Sequence, residues 1–226
     1  MSNAAGEWAS REEETAFLIM ESVLGVNIHL ADAGAGNKKP DGAWIYPDQN
    51  GRRGIVEVTS PPDKVLMKKW AQAKRDGTPQ SESGSIPLRL NELDQFCMDL
   101  LAAAWAQDNI TKLLDEPADE RHLFLFGRSH RFQSYFCRLS DKFDDGKTEA
   151  VGDLVLQEGL DSVWFRGRAM RNQPWDTRIW VARFQTGAGW HRYVVDMDER
   201  HLPSPNSGIA DDKVPAELRR PKNRSR

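Results

Sequence analysis

The sequence contains few of the residues that hold metals through sulfur or nitrogen. Its 226 residues include two cysteines, Cys97 and Cys137, and five histidines. The histidines are scattered, with no His-x-x-x-His or His-x-His pair of the kind that holds zinc. Each cysteine lies in an apolar segment, which favours two buried thiols in a reducing compartment. A zinc enzyme and a disulfide-stabilised secreted domain are therefore excluded.

Several other signals are also missing. No apolar run approaches the length of a transmembrane helix. The first six residues lack the basic and apolar regions of a signal peptide, so we expect a cytoplasmic protein with no membrane partner. The chain has neither a Gly-x-Ser-x-Gly nucleophile motif nor a dinucleotide fingerprint. Its glycine-rich segment at 31–37 lacks the Gly-Lys-Ser/Thr ending of a phosphate-binding loop.

The composition is that of an ordinary soluble globular protein, with 39% hydrophobic and 29% charged residues. A net charge of −3 is unusual for a general nucleic-acid binder, although it is compatible with a local basic face. We expect a flexible N-terminus at 1–9 and a single domain at 10–202. Residues 203–226 lack apolar periodicity and end in basic residues, which predicts a disordered tail that either attracts phosphate or aids solubility.

The most informative stretch is a pair of short apolar segments, 42–46 and 54–60, separated by a turn at 48–51 that contains Asn-Gly. This pattern predicts a β-hairpin. Asp41 begins the first strand, and Glu57 lies inside the second. A carboxylate inside an apolar strand is costly to bury without a positive partner. Two such carboxylates on neighbouring strands are suited to one hard cation, Mg²⁺ or Mn²⁺.

Asp41 after a proline, followed sixteen positions later by Glu57 and then by Val58 and Thr59, resembles the PD-(D/E)xK, or restriction-endonuclease-like, nuclease superfamily. The resemblance covers about residues 8–75. It implies an α/β (α+β) fold in which helices flank a central mixed sheet. In that superfamily the Asp and the Glu hold the metal ion, and a lysine two residues after the Glu helps to activate water. This chain has Thr59 at the lysine position.

The resemblance implies a set of site residues. Asp41, Glu57 and the backbone carbonyl of Val58 are the expected ligands of Mg²⁺ or Mn²⁺, and Thr59 is expected to orient the attacking water. The missing positive charge is assigned to a lysine of the following helix, either Lys64 or Lys68.

Two of these assignments have an alternative reading. The basic side chains of that helix also fit a solvated surface. An acidic residue of the first helix often approaches the metal in the superfamily, which suggests Glu13 here. Glu13 also stands three residues after Ser10, the spacing of a helix capping box.

Two functions stay open on this evidence. One is a metal-dependent nuclease that hydrolyses phosphodiester bonds, with DNA favoured over RNA. The other is a nuclease-like scaffold without activity that binds nucleic acid or a protein in immunity, defence or regulation. A third, purely structural reading pairs Glu57 with a nearby lysine or arginine. A homodimer or a protein partner is a further expectation, because many nucleases of this fold are dimers.

The remaining sequence predicts alternating helices and strands. A segment at 157–164 and a later Gly-Trp pair resemble the C-terminal strands of uncharacterised actinobacterial proteins, a similarity that brings no substrate. Threonine and glycines at 186–189 predict a C-terminal β-hairpin extension. The expected helices are 10–24, 64–75, 90–107, 110–114 and 132–139, and the expected strands are 26–30, 122–126, 162–166, 178–184 and 191–195.

Overall fold

A computed structural model of the chain describes residues 11–31, 39–47, 50–78, 92–140, 151–167 and 178–196. The described helices are α1 (Arg11–Leu24), α2 (Lys64–Asp76), α3 (Leu93–Ala102), α4 (Ala104–Asp115) and α5 (His130–Ser140). The described strands are β1 (His29–Leu30), β2 (Gly42–Ile45), β3 (Arg53–Thr59), β4 (Glu120–Phe126), β5 (Ser162–Arg166), β6 (Arg178–Gln185) and β7 (Gly189–Asp196). The predicted N-terminal segment 1–9, most of the predicted loop at 141–151, and the tail at 203–226 lie outside these ranges.

The seven strands form one mixed sheet in the order β1 to β7. β3, β4 and β5 are parallel, whereas the other neighbouring strands are antiparallel. Helices α2, α3 and α4 make the long connection from β3 to β4, as parallel pairing requires. The expectation of a mixed sheet flanked by helices is confirmed, and β6 and β7 form the predicted C-terminal hairpin.

The central strand β4 has a buried core on each of its faces. Leu123 and Leu125 pack on the side of the sheet that α3, α4 and α5 cover. Phe124 and Phe126 pack on the opposite side, against residues of α1. Successive side chains of a strand point to opposite faces, so a continuous apolar run fits a strand that is covered on both sides.

Several boundaries differ from the sequence prediction. Residues 104–115 form one helix where two separate helices were expected, and β4 begins at Glu120, two residues before the predicted start. The helix expected over 90–107 is broken at Ala103, whose backbone is extended (φ −67°, ψ 143°). The side chain of Gln107 donates a hydrogen bond of 2.7 Å to the carbonyl of Leu101 and so satisfies one carbonyl at the end of α3. The strand expected over 26–30 pairs with β2 only at His29 and Leu30. Val26 and Ile28 are buried but do not join the ladder.

Other local predictions agree with the structure. The carboxylate of Asp63 accepts a hydrogen bond of 2.9 Å from the amide of Leu66, which confirms it as the N-cap of α2. The segment 132–139 is helical, within α5. Cys97 and Cys137 are free, buried thiols. The described helices include none with the length and hydropathy needed to cross a membrane.

Gly54 on β3 is a sensitive position of the core. A Cβ atom there would lie 2.2 Å from the indole ring of the buried Trp44. We expect Gly54→Ala to lower the free energy of unfolding by about 1–3 kcal/mol, because the buried ring would have to move to accommodate the methyl group. Urea denaturation measures this effect. Gly51→Ala is the comparison, since a Cβ there meets no atom within 4 Å and only its positive φ of 78° is strained. Equal losses for both variants would contradict the steric argument.

Candidate functional site

Asp41 and Glu57 lie opposite each other on neighbouring strands. Gly42 pairs with Val56 in the antiparallel β2–β3 ladder, and continuing this register by one residue sets Asp41 against Glu57. Both carboxylates are buried. The amide of Val58 donates a hydrogen bond of 2.7 Å to Asp41 Oδ2, which fixes that side chain against β3. The predicted pairing of the two strands therefore brings the two predicted ligands together.

The cation at this pair is Lys112, on α4. Its Nζ donates a hydrogen bond of 2.9 Å to Glu57 Oε1 and lies 2.8 Å from Glu57 Oε2. The same Nζ is 3.9 Å from Asp41 Oδ1. The Lys112 side chain is only 19% exposed, so its charge acts in a poorly solvated environment. One ammonium group therefore serves two carboxylates.

The site carries more negative charge than this lysine neutralises. Burial raises the pKa of Asp41 well above its usual range, and the charges of Glu57 and Glu13 raise it further. Burial also raises the pKa of Glu57, against the opposing effect of its hydrogen bond with Lys112. Glu13 of α1 is half-buried and raises the pKa of both carboxyl groups. Asp41 and Glu57 thus share the positive charge of Lys112.

The other predicted residues of β3 lie next to the pair. Thr59 is half-buried and lies two residues after Glu57, so both side chains are on the same face of the strand. The N–H and C=O groups of a strand residue point to the same side. Because the Val58 amide points to Asp41, its carbonyl is directed to the same side. The capping partner proposed for Glu13, Ser10, lies outside the described residues.

Lys64 and Lys68 are not brought to the pair. Both are exposed on α2, and neither forms an ion pair with Asp41 or Glu57 within the described residues. The physical reason is that α2 turns Leu66 inward and so directs these lysines outward. Sequence reasoning missed Lys112, although the same signal that marked Glu57 was present. It is a charged residue within an apolar segment, Ile110 to Leu114.

No family model, curated protein or solved structure matches this chain.

The donor set fits a hard divalent cation. The described part of the chain contains no group of three or more His, Cys, Asp or Glu side chains placed to hold a metal by themselves. Mg²⁺ usually binds one or two carboxylates and keeps several waters, so a pair of carboxylates is enough for it. Glu57 Oε2 is buried and accepts no hydrogen bond of good geometry, but Lys112 Nζ lies 2.8 Å from it, so a divalent cation there would compete with that ammonium group. Asp41, Glu57 and the Val58 carbonyl would supply the oxygen ligands.

A second cluster of buried charges lies on the opposite face of the sheet, around Glu120 at the start of β4. Tyr46 donates a hydrogen bond of 2.5 Å to Glu120 Oε2. Arg183 Nη2 lies 3.4 Å from Glu120 Oε1 and also donates to the hydroxyl of Ser162. His122 Nε2 lies 3.1 Å from Glu120 Oε1. The carboxylate is thus contacted by donors from two other strands or strand ends and from its own strand.

The protonation states in this second cluster follow from its contacts. Trp164 Nε1 donates a hydrogen bond of 2.9 Å to His122 Nδ1, which places the proton of a neutral ring on Nε2, facing Glu120. Complete burial lowers the pKa of His122, which favours the neutral ring. Burial opposes ionisation of Glu120, but its hydrogen bonds with His122 and Tyr46 lower the pKa of Glu120 to about 2. Sequence reasoning missed this cluster, because the predicted strand began at His122.

Proposed function

We propose that the chain is a metal-dependent nuclease that hydrolyses phosphodiester bonds, with DNA as the favoured substrate and Mg²⁺ or Mn²⁺ held by Asp41 and Glu57. The observation that supports it best is the convergence of these two buried carboxylates on Lys112. A site that combines surplus buried negative charge with one cation favours a second, divalent cation, which would relieve the repulsion. The proposed fold is the restriction-endonuclease-like core, supported by a helix, three antiparallel strands and a parallel fourth strand.

The residues at the site have distinct tasks under this proposal. A bound metal ion supplies Lewis acidity, which lowers the pKa of bound water and stabilises charge on a phosphate. In the superfamily a lysine two residues after the glutamate supplies a positive charge. Thr59 occupies that position here, and Lys112 supplies the charge instead. Its contact with both oxygens of Glu57 also fixes the orientation of that carboxylate. Thr59 carries a hydroxyl that can orient water but cannot supply charge.

The test is calorimetric titration of Mn²⁺ and Mg²⁺ combined with plasmid nicking. We expect the wild type to bind metal and to nick DNA. Asp41→Asn and Glu57→Gln should lose metal binding and should slow nicking by about a hundredfold or more, because each removes charge that holds the cation. Asp99→Asn makes the same carboxylate-to-amide change on an exposed part of α3 and should behave like the wild type. Metal binding that survives in both site variants would contradict the proposal.

One observation favours a second candidate, a nuclease-like scaffold without activity. Lys112 already contacts both oxygens of Glu57, as in an ion pair that serves only the fold. Such a scaffold would bind nucleic acid or a protein partner in immunity, defence or regulation, alone or as a homodimer. It would bind no divalent ion at Asp41 and would keep its role in Glu57→Gln. The same titration separates the two candidates.

A further inference from the structure

The outward side of α2 carries a row of three positive charges. Leu66 is buried and Ala73 is half-buried, and these residues mark the side of the helix that faces the protein. At 3.6 residues per turn, Lys64, Lys68 and Arg75 lie within about 40° of one another on the opposite side. All three are exposed. We call these three residues the α2 ridge, and it extends over about 16 Å at 1.5 Å per residue.

The charges of the α2 ridge form no ion pair with the acidic side chains next to it. Asp63 is engaged as the helix cap. Asp76 accepts both of its hydrogen bonds from the side-chain amide of Gln72, at 2.8 and 2.9 Å. Arg75 Nη2 donates a hydrogen bond to the side-chain carbonyl oxygen of the same glutamine. Within the described residues no ridge residue forms an ion pair, although the whole chain has a net charge of −3.

The position of Lys64 opposes helix stability. It is the first residue of α2, and the first turn contains no acidic residue. A cation at the positive end of the helix dipole is unfavourable by about 0.3–1 kcal/mol, whereas an acidic residue there would be favourable. The N-cap carboxylate of Asp63 offsets part of this cost. The position of Lys64 becomes favourable when a polyanion lies along the ridge.

The α2 ridge follows the strand that carries Glu57 after a short connection. Thr59, the last residue of β3, is five residues before Lys64. Five extended residues span at most about 17 Å, which sets the upper limit of the distance between the end of β3 and the start of the ridge. Duplex DNA carries about one negative charge per 1.7 Å of its axis, so a 16 Å ridge faces several phosphates.

We propose that the α2 ridge binds the phosphate backbone of duplex DNA and seats the duplex beside Asp41 and Glu57. This assignment of Lys64, Lys68 and Arg75 as a binding surface rests on the proposed nuclease function for its purpose. The contacts carry no base specificity, because lysine and arginine recognise phosphate charge in every sequence. The ridge therefore contributes affinity, and it orients the duplex relative to the carboxylates.

The apolar residues of α2 argue for DNA over a lipid surface or a protein groove. Val65 and Met67 are 73% and 48% exposed. They lie about 160° apart around the helix, on opposite flanks of the ridge. Insertion into a membrane or a groove needs one continuous apolar stripe, which these two residues do not form.

The experiment measures binding of a fluorescent 20-base-pair duplex to the full chain, with chelator present, over a range of salt concentrations. Replacing Lys64, Lys68 and Arg75 by glutamine in one triple variant should make the negative slope of log K against log salt shallower by about 2.7, at about 0.9 per contact. The single change Lys68→Gln should reduce it by about 0.9. Lys69→Gln is the matched control, because it removes the same charge from the adjacent exposed residue, about 100° around the helix from Lys68.

The outcomes separate this inference from the nuclease proposal. A reduced slope in the ridge variants, with Lys69→Gln like the wild type, supports the inference even when the wild type does not nick DNA in Mg²⁺. The inference is overturned by equal slopes in the wild type and the triple variant, by no duplex binding in the wild type, or by equal effects of Lys68→Gln and Lys69→Gln. Ridge-dependent binding to phosphatidylserine vesicles without binding to the duplex also overturns it. Thermal melts check folding, which exposed substitutions should change little.

Discussion

Replacing Lys112 with methionine is expected to lower the free energy of unfolding of the metal-free protein by about 3–5 kcal/mol near pH 8. Methionine keeps much of the apolar stem of lysine and removes the ammonium group. Among the described residues, Asp41 and Glu57 then face each other with no positive charge in contact, since Lys112 is the cation placed beside them. Urea denaturation of the two proteins measures the difference.

The sign of the pH dependence follows from the carboxyl groups. Burial raises the pKa of Asp41 and of Glu57 above their unfolded values. Between the unfolded and folded pKa, the native state binds more protons than the unfolded state, so the free energy of unfolding falls as pH rises. Removing Lys112 raises both pKa values further. The destabilisation by Lys112→Met should therefore be large near pH 8 and small near pH 5, and a loss that is equal at both values would contradict this account.

Added Mn²⁺ distinguishes a metal site from a purely structural ion pair. A ligand that binds only the native state stabilises it by RT ln(1 + [L]/Kd), about 2.7 kcal/mol at a hundred times Kd. The metal should therefore recover much of the stability lost in Lys112→Met. Lys69→Met, on the exposed side of α2, is the control and should neither lose stability nor gain more from metal than the wild type. No stabilisation by Mn²⁺ in any variant would favour the scaffold.

The two carboxylates were predictable because their relation is local. A turn with Asn-Gly and two short apolar strands define a hairpin, and the hairpin register sets Asp41 against Glu57. Lys112 is 55 residues beyond Glu57, and its position depends on how α4 packs on β3. No local pattern contains that information. Lys64 and Lys68 were chosen for their proximity in sequence, but the burial of Leu66 turns them outward.

The break at Ala103 and the buried position of Glu120 were missed for related reasons. Alanine is the strongest helix former, so its sequence context predicts a continuous helix. The break depends on tertiary packing and on the bond from Gln107 to the end of α3. Glu120 looks like a surface residue before an apolar strand. It is buried because Tyr46 and Arg183 come from elements far away in the sequence.

Glu120→Gln is expected to lower the free energy of unfolding by about 3 kcal/mol near pH 7, since a shift of one pKa unit corresponds to 1.36 kcal/mol. Glu120 has its pKa lowered to about 2 from an ordinary value of 4.5. A depressed folded pKa gives stability that is present above the unfolded value and is lost as pH falls through the folded one. The loss in free energy of unfolding caused by Glu120→Gln should therefore become smaller as the pH falls from about 4.5 to about 2. Urea denaturation at several pH values measures it.

A half-buried carboxylate provides the control for Glu120→Gln. Glu116 pairs with Arg53 at 2.9 Å, and both side chains are much more accessible to solvent than Glu120. Surface ion pairs contribute about 0–1 kcal/mol, so Glu116→Gln should cost far less near pH 7. A loss in Glu120→Gln that persisted unchanged at pH 2.5 would show that the shape and hydrogen bonds of the carboxylate matter, and that its charge does not.

A rise in pH should change the stability contributions of the two clusters in opposite directions. Ionisation of Asp41 and Glu57 lowers stability as pH rises, whereas ionisation of Glu120 raises it. The difference in free energy of unfolding between the wild type and Glu120→Gln should therefore become smaller at acid pH. The difference between the wild type and Lys112→Met should become larger at alkaline pH.

Because the clusters lie on opposite faces of the sheet, the double variant Lys112→Met/Glu120→Gln should show the sum of the two losses near pH 7, within about 0.5 kcal/mol. A marked departure from that sum would mean that the charges on the two faces interact across β3 and β4.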